Sequence, residues 1–575
     1  MILNALVDCY DMLRERGEVP GRGYSQAKVS FELNISKYGE VLNVIPLVDK
    51  EQVGKKIVEK PKTLDVPEQG TRASGIAPNF LCDNSSYILG IDNKGKPKRT
   101  KECFEASKQL VKRVLVEEKD NQIQALLNYY ENWNPDEAQE HLVIREYLEK
   151  LLAGGNIVFS VEGEPLLDNE KINQAWCKFH EEKEVEDEMQ CLITGKKSPI
   201  ARLHPNIKGV FGAQTAGASL VSFNADAYDS YGHKSGDNAP TSEEAVFAYT
   251  TALNYLVKNQ EYNQRVGEMT VVFWANSPQK EPQIFFSMSL SDFTEDENKQ
   301  ELLKSVFSKV SKGQAIDEID LRTEFYVLGI SPNAARLSIR FFIKSSFGDI
   351  LMNMYNHQER LKIVGSRFAH TSFHHLLRET VNMNSTDKSP SPLMAGAMLR
   401  AVIRGETYPA SFYQALMLRV KAERDITSGK AAGIKAYLLN NREYKANKEV
   451  LQVKVNEDTK EKAYVLGRLF AVLERAQEDA NPGINSTIKD RYFTSACTNP
   501  GIVFPRLIQL AGYHNAKSDY GKAREYEIGK IMSKLDVENN PFPTQLSLKD
   551  QGIFMLGYYQ QREQRFKKKE ESKDA

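Results

Sequence analysis

Strand-like segments in this chain are largely confined to the part before residue 388, and from Pro392 onward it reads almost entirely as helix. The early segments alternate or run apolar over short lengths, as strands do. KVSFELNISKYGEVLNVIPLV reads as two strands joined by a turn at Lys37, Tyr38 and Gly39. NIVFSV at 156–161 is a strand-like piece within a mostly helical stretch from 102 to 188. MTVVFWA at 269–275 is continuous enough to be a strand buried on both faces, and EPQIFFSMSL at 281–290 reads as a further strand. The charged stretch 50–67 carries Pro61 and Pro67 and reads as a loop or an edge strand, whereas 292–312 reads as a helix. FYVLGI and ARLSIRFFIKS flank a turn at Ser331, Pro332 and Asn333, and in an extended strand Arg336 and Arg340 share a face.

The break VNMNSTDKSPSPL, rich in Ser, Asn and Pro, separates these elements from a run of amphipathic helices. Within that run NKEVLQVKVNEDTK reads as a polar linker, and FKKKEESKDA as a frayed tail. The expected fold class is therefore α+β. A mixed α/β N-terminal part spans 1–388, and a C-terminal helical bundle spans 389–575.

At 575 residues the chain exceeds one ordinary domain. Lys and Arg number 76 and Asp and Glu 77, so any nucleic-acid binding must come from local basic patches. The densest such run in the N-terminal half is NKGKPKRTK, with Lys94, Lys96, Lys98, Arg99 and Lys101. A solvated loop is the default reading, and phosphate contact is the functional one. Six scattered cysteines without a CxxC pair point to a reducing cytoplasm and against a disulfide framework. The N-terminal MILNALVDCYDMLRERGEVP is an amphipathic helix with acidic residues, unlike a signal peptide, and no apolar run of about 18 residues predicts a membrane span.

Two sets of metal-binding residue types stand out. Cys177, His180, Cys191 and His204 lack zinc-site spacing. His370 and His374 would lie one turn apart on a helix, with Asp349, His375 and Glu379 as further candidates, yet no HExxH is present. No metal, cofactor or catalytic residue is expected.

The stretch at 209–240, GVFGAQTAGASLVSFNADAYDSYGHKSGDNAP, concentrates the chemistry of a recognition loop. Its glycines permit close approach. Gln214, Thr215, Ser219, Ser222 and Asn224 are uncharged hydrogen-bonding groups, Tyr228, Tyr231 and His233 offer flat rings, and Lys234 offers a cation. A helix opening at Ser242, with Glu243 and Glu244 in its first turn, follows.

GAQTAGASLVSFNADAYDSYG and NAPTSEEAVFAYTTALNYL resemble the large subunit of the type I-C CRISPR Cascade complex. RASGIAPNFLCDNSSYILGID, FYVLGISPNAARLSIRFF, VLGRLFAVLERAQ and LSLKDQGIFMLGYYQQR extend that resemblance, in the same order, over nearly the whole chain. The resemblance implies a protein that recognises the protospacer-adjacent motif in double-stranded DNA while a guide RNA reads the target by pairing. It also implies strand separation, R-loop formation, a hold on the displaced single strand, and recruitment of a helicase-nuclease. The implied partners are a guide-RNA ribonucleoprotein of backbone and RNA-handle-binding subunits, and a small subunit made from an internal start. The bundle from about 450 would resemble that small subunit. No methionine lies between Met417 and Met532, so the start would use a non-ATG codon at Val450, Leu451, Val453 or Val455.

On this reading Asn84, Gln214, Thr215, Ser219, Asn224, Tyr231 and Lys234 read the motif, and Lys94, Lys96, Lys98 and Arg99 hold the DNA backbone. The alternatives are a metal-dependent nuclease subunit and a purely structural scaffold.

Overall fold

Alternation sets the first sheet. In β1 (Tyr24–Ile35) Ala27, Val29, Phe31, Leu33 and Ile35 are buried and their neighbours are not, the period-2 pattern of a sheet with one covered face. The computed structural model describes residues 2–53, 56–70, 75–116, 118, 120–181, 188–291, 296–316, 319–366, 370–386, 388–441, 448–536 and 538–571. β2 (Val41–Pro46) pairs antiparallel with the end of β1 across the expected turn. The stretch that read as a loop or edge strand forms two strands, β3 (Val48–Val53) and β4 (Lys56–Pro67). With parallel β5 (Asn156–Val161) and short β6 (Glu164–Pro165) the order is β3-β4-β1-β5-β6. β3 is the edge, but β4 is interior. Pro61 is tolerated because β4 joins β1 only from Lys62 onward, so the missing N–H is not needed in that ladder. Helix Asn121–Asn132 covers the sheet, and Tyr129 donates from its hydroxyl to the Ile88 carbonyl at 2.8 Å.

β7 (Glu188–Gln190) and β8 (Lys197–Pro199) make a small hairpin. A second antiparallel sheet combines β9 (Asn263–Val266), β10 (Met269–Ala275), β11 (Glu324–Asn333) and β12 (Arg336–Ser346) in the order β12-β11-β10-β9. All seven residues of β10 are buried, as its apolar run predicts. The β11–β12 turn falls at Ala334 and Ala335, later than expected, with Ala334 at φ 53°. Ile330 pairs with Ile339 and Gly329 with Phe341, so the ladder skips Arg340 and the simple alternation relating it to Arg336 is interrupted.

EPQIFFSMSL is a helix, Glu281–Leu290, not a strand. Pro282 sits in its first turn, and Pro282, Phe286 and Ser289 are buried at helical spacing.

The chain forms two compact units, one of residues 3–205 and 222–252, the other of 206–221 and 253–575. The division does not fall at 388. One continuous core runs from β9–β12 through the later helices, because helix Pro392–Arg404 packs on β10. A Cβ on Gly396 would meet the Met269 sulfur at 3.0 Å, a closeness that a larger residue would disturb.

Five helices close the second unit: Lys462–Ala480, Ile488–Thr498, Pro500–Asn515, Gly521–Met532 and Leu548–Glu571. The first and last lie backbone to backbone. Gly467 abuts the Phe554 carbonyl, and Gly557 abuts that of Tyr464. Residues 448–461 before them have no regular structure, yet Val450 and Leu451 are buried in the core. The terminal helix continues to Glu571, into the segment that read as a tail. Sheets in the N-terminal half and helices beyond make the molecule α+β, as the sequence predicts.

Candidate nucleic-acid interface

Charge and exposure meet first at residues 92–99. A turn after Asp92 leads into helix Pro97–Val114, whose first residue is proline and whose N-cap, Lys96, supplies no side-chain acceptor. The first N–H groups of that helix are thus not capped by Lys96, and such an end favours anions. Lys94, Lys96, Lys98 and Arg99 are all exposed there, with Arg99 donating to the Gly75 carbonyl at 2.8 Å. Lys101 is instead engaged by Asp136 at 2.7 Å.

Asn84 has a local structural role. Its side-chain oxygen caps helix Ser85–Ile88 by accepting from the Ser86 N–H at 3.0 Å, and its own N–H donates to Asp83 at 2.8 Å.

The stretch at 209–240 is divided between the two units. Its first part lies in the second unit. Ile207 and Ala218 exchange backbone hydrogen bonds, and Ser219 bridges to Arg336 in β12. The Phe211 N–H donates to the Thr270 hydroxyl at 3.1 Å, and the Arg265 guanidinium lies 3.3 Å from the centre of the Phe211 ring. Gly217 holds φ at 86°, and a Cβ there would lie 2.7 Å from the Ile207 carbonyl oxygen. Gln214 and Thr215 are exposed at the top of this clamped loop. Ser219 donates from its hydroxyl to Asn206 Oδ1 at 2.8 Å, so that group supports the loop.

The remainder lies in the first unit. Ser230 and His233 bridge across a turn whose central residues, Tyr231 and Gly232, take φ of 54° and 81°. Tyr231 is 100% exposed. Asn238, which the sequence reading passed over, organises the turn. It accepts from the Ser230 N–H at 2.9 Å and donates to the carbonyls of Ser235 at 3.0 Å and His233 at 3.3 Å. Asn224 and Lys234 are exposed on the same segment.

Cys191 fixes where the following helix, Glu243–Lys258, begins. Its sulfur accepts N–H groups from Ile193, Thr194 and Ser242 at 3.2–3.5 Å. Burial works to raise the thiol, but the bonds from Ser242 and Thr194 outweigh it and bring its pKa to about 7.

The candidate metal sets do not assemble. Cys177 is exposed while Cys191 is buried, and the side chain of His180 lies outside the described residues. His204 bonds to the Tyr249 hydroxyl at 2.6 Å. His370 precedes helix Phe373–Arg378, which Ser372 caps, so His370 and His374 are not a helical pair. Asp349 accepts the Ser346 hydroxyl at 2.6 Å, and Glu379 accepts that of Thr427 at 2.8 Å. Among the described residues no three or more of His, Cys, Asp and Glu are grouped to hold a metal ion, and no helix is long and apolar enough to cross a membrane.

No curated protein matches this sequence. The family model described as CRISPR-associated protein (Cas_Csd1) matches residues 6–566, nearly the full length. Its span takes in both sheets, the divided recognition stretch and the terminal bundle, and the chain accordingly belongs to the Cas_Csd1 family, as a subunit of the type I-C CRISPR Cascade complex.

Proposed function

We propose that this Cascade subunit reads the protospacer-adjacent motif in double-stranded DNA and starts its opening. The observation that carries the reading is Tyr231. A fully exposed aromatic ring sits at a turn tip in a backbone conformation that costs a non-glycine residue energy. Such a ring suits insertion at a base step or stacking on an exposed base. Lys94, Lys96, Lys98 and Arg99 suit phosphates, and the exposed Gln214 and Thr215 suit base edges. In the terminal helices Tyr513, Tyr520 and Tyr526 are 63%, 62% and 77% exposed, among exposed Arg506, Lys517 and Lys522. Rings interleaved with cations suit the displaced single strand of an R-loop.

In this reading the subunit cuts nothing itself, and a recruited helicase-nuclease does so. A small subunit made from an internal start near Val450–Val455 joins the guide-RNA ribonucleoprotein. Intact mass of complex expressed from the native gene tests that product, and absence of a fragment starting there removes it.

Competition binding of the assembled complex against a library of flanking sequences tests the main reading. Gln214→Ala should cost about 1–3 kcal/mol on the preferred motif and relax base choice. Tyr231→Ala should slow opening while initial duplex binding persists. Wild-type preference and wild-type opening in both variants would overturn the assignment.

A further inference from the structure

A cavity of about 660 Å³ opens in the second unit among helix Glu297–Ser311, helix Phe347–Leu361 and Lys362, Ile363, Ser366, His370 and Thr371. This size suits a small-molecule ligand. One whole face of the first helix lines it, at Gln300, Leu303, Lys304, Phe307, Ser308 and Ser311. Its wall carries two aromatic rings, Phe307 and Tyr355, with centroids 6.2 Å apart. Its rim carries Lys304 and Lys312, both exposed and both without an ion pair or hydrogen bond among the described residues.

The charge around the cavity is one-sided. Lys362 also lines it and is held by Glu359 at 2.5 Å. Lys435, only 2% exposed, does not line the cavity but is close enough to both for their charges to act on it. Burial lowers the Lys435 pKa to about 8, with Glu359 opposing and Lys362 adding to the shift. Three lysines, Lys304, Lys312 and Lys362, thus line the cavity against one lining carboxylate, Glu359. His370, also in the lining, is kept neutral by burial and adds no charge.

Phe307 belongs to the core of the second unit and Tyr355 packs against it, so both rings are held in place at the cavity wall. Ammonium groups at the mouth and rings within match a planar group carrying phosphate.

We propose that this cavity binds a nucleoside phosphate, either as a free nucleotide or as the 5′-phosphorylated end of a strand. The phosphate lies toward Lys304 and Lys312, and the base lies against Phe307 and Tyr355. The site is separate from the motif-reading residues.

Calorimetric titration of the purified full chain, without guide RNA or target DNA, tests it with AMP, ATP, adenosine, inorganic phosphate and a 5′-phosphorylated trinucleotide. AMP, ATP or the trinucleotide should saturate one site, with adenosine and inorganic phosphate at least about tenfold weaker. Lys304→Ala with Lys312→Ala should weaken binding about tenfold or more with the melting temperature unchanged, and Tyr355→Leu should weaken nucleotides but not inorganic phosphate. Saturation by the trinucleotide alone assigns the site to strand ends, and saturation by AMP assigns it to free nucleotide. Absence of saturable binding by every probe, binding unaltered in the double lysine variant, or inorganic phosphate binding as tightly as AMP would overturn the proposal.

Discussion

The two parts of the glycine-rich stretch are neighbours in sequence and opposites in construction. Residues 206–221 are clamped by distant partners: a bridge to β12, a hydrogen bond to Thr270 in β10, and an arginine stacked on Phe211. In residues 222–240 the turn at 230–233 is held by their own Asn238 and leaves Tyr231 bare, while beyond it Ser235 and Gly236 tie to the Arg202 carbonyl. Composition does not distinguish them, since both are glycine-bearing, polar and aromatic. The source of the hydrogen-bond partners does. Long-range partners fix a loop's position, and local ones fix only its shape, so the first part suits fixed presentation of side chains and the turn at 230–233 is free to move.

Acid should separate the two parts most strongly. Burial lowers the pKa of His357 to about 3, with Arg360 adding, and that of His370 to about 4; both lie in the unit that clamps residues 206–221. Each is neutral when folded and takes a proton on unfolding once pH drops below about 6.5. The unfolded state then binds more protons, so stability is complete above that pH and falls at about 1.4 kcal/mol per unit per histidine until the folded pKa is reached. Moving from pH 6.5 to 5 should cost up to about 4 kcal/mol from the pair, measured by urea unfolding. His357→Gln and His370→Gln should flatten the profile. An unchanged slope would show that neither histidine stays neutral in the fold.

Gly217→Ala should cost about 2–4 kcal/mol, because a Cβ would meet the Ile207 carbonyl oxygen at 2.7 Å with φ at 86°. Full stability in that variant would mean the first part is not clamped. Asn238→Ala should cost only about 1 kcal/mol, since its bonds are solvent-accessible, and should loosen the turn, as amide exchange at Ser230 and His233 would report. A loss as large as that of Gly217→Ala would erase the distinction between the parts. Tyr231→Gly should be neutral or stabilising by about 0.5–1 kcal/mol, since glycine adopts φ 54° without strain, while DNA opening slows. Destabilisation by that change would make the ring a structural element.

The sequence makes legible those elements whose signal is local. MTVVFWA reads as a buried strand because a run of seven residues, six of them apolar, is too short for a buried helix and leaves no polar face. EPQIFFSMSL carries a lower density of apolar residues, and its helical spacing shows only once Phe286 and Leu290 have a core to face. The expected boundary near 388 marks a real break in helical pattern. Cohesion across it depends on Met269 fitting over Gly396, which no local pattern encodes. At the candidate site, exposure of Gln214, Lys96 and Tyr231 follows from composition. The Ser219 bridge to Arg336, the Arg265 stack on Phe211 and the role of Asn238 depend on pairings made in three dimensions.

The interleaving of the two units also sets an order of emergence during synthesis. The chain leaves the first unit at 205, returns at 222 and leaves again at 252. A growing chain cannot complete the first unit until residue 252 has cleared the ribosome. By then residues 206–221 have already emerged, and their partners β10 and β12 have not. This segment must wait for Thr270 in β10 and then for Arg336 at the start of β12. A pause in translation between 252 and 270 would lengthen the time for which Phe211 stays open to chaperones or to misfolding.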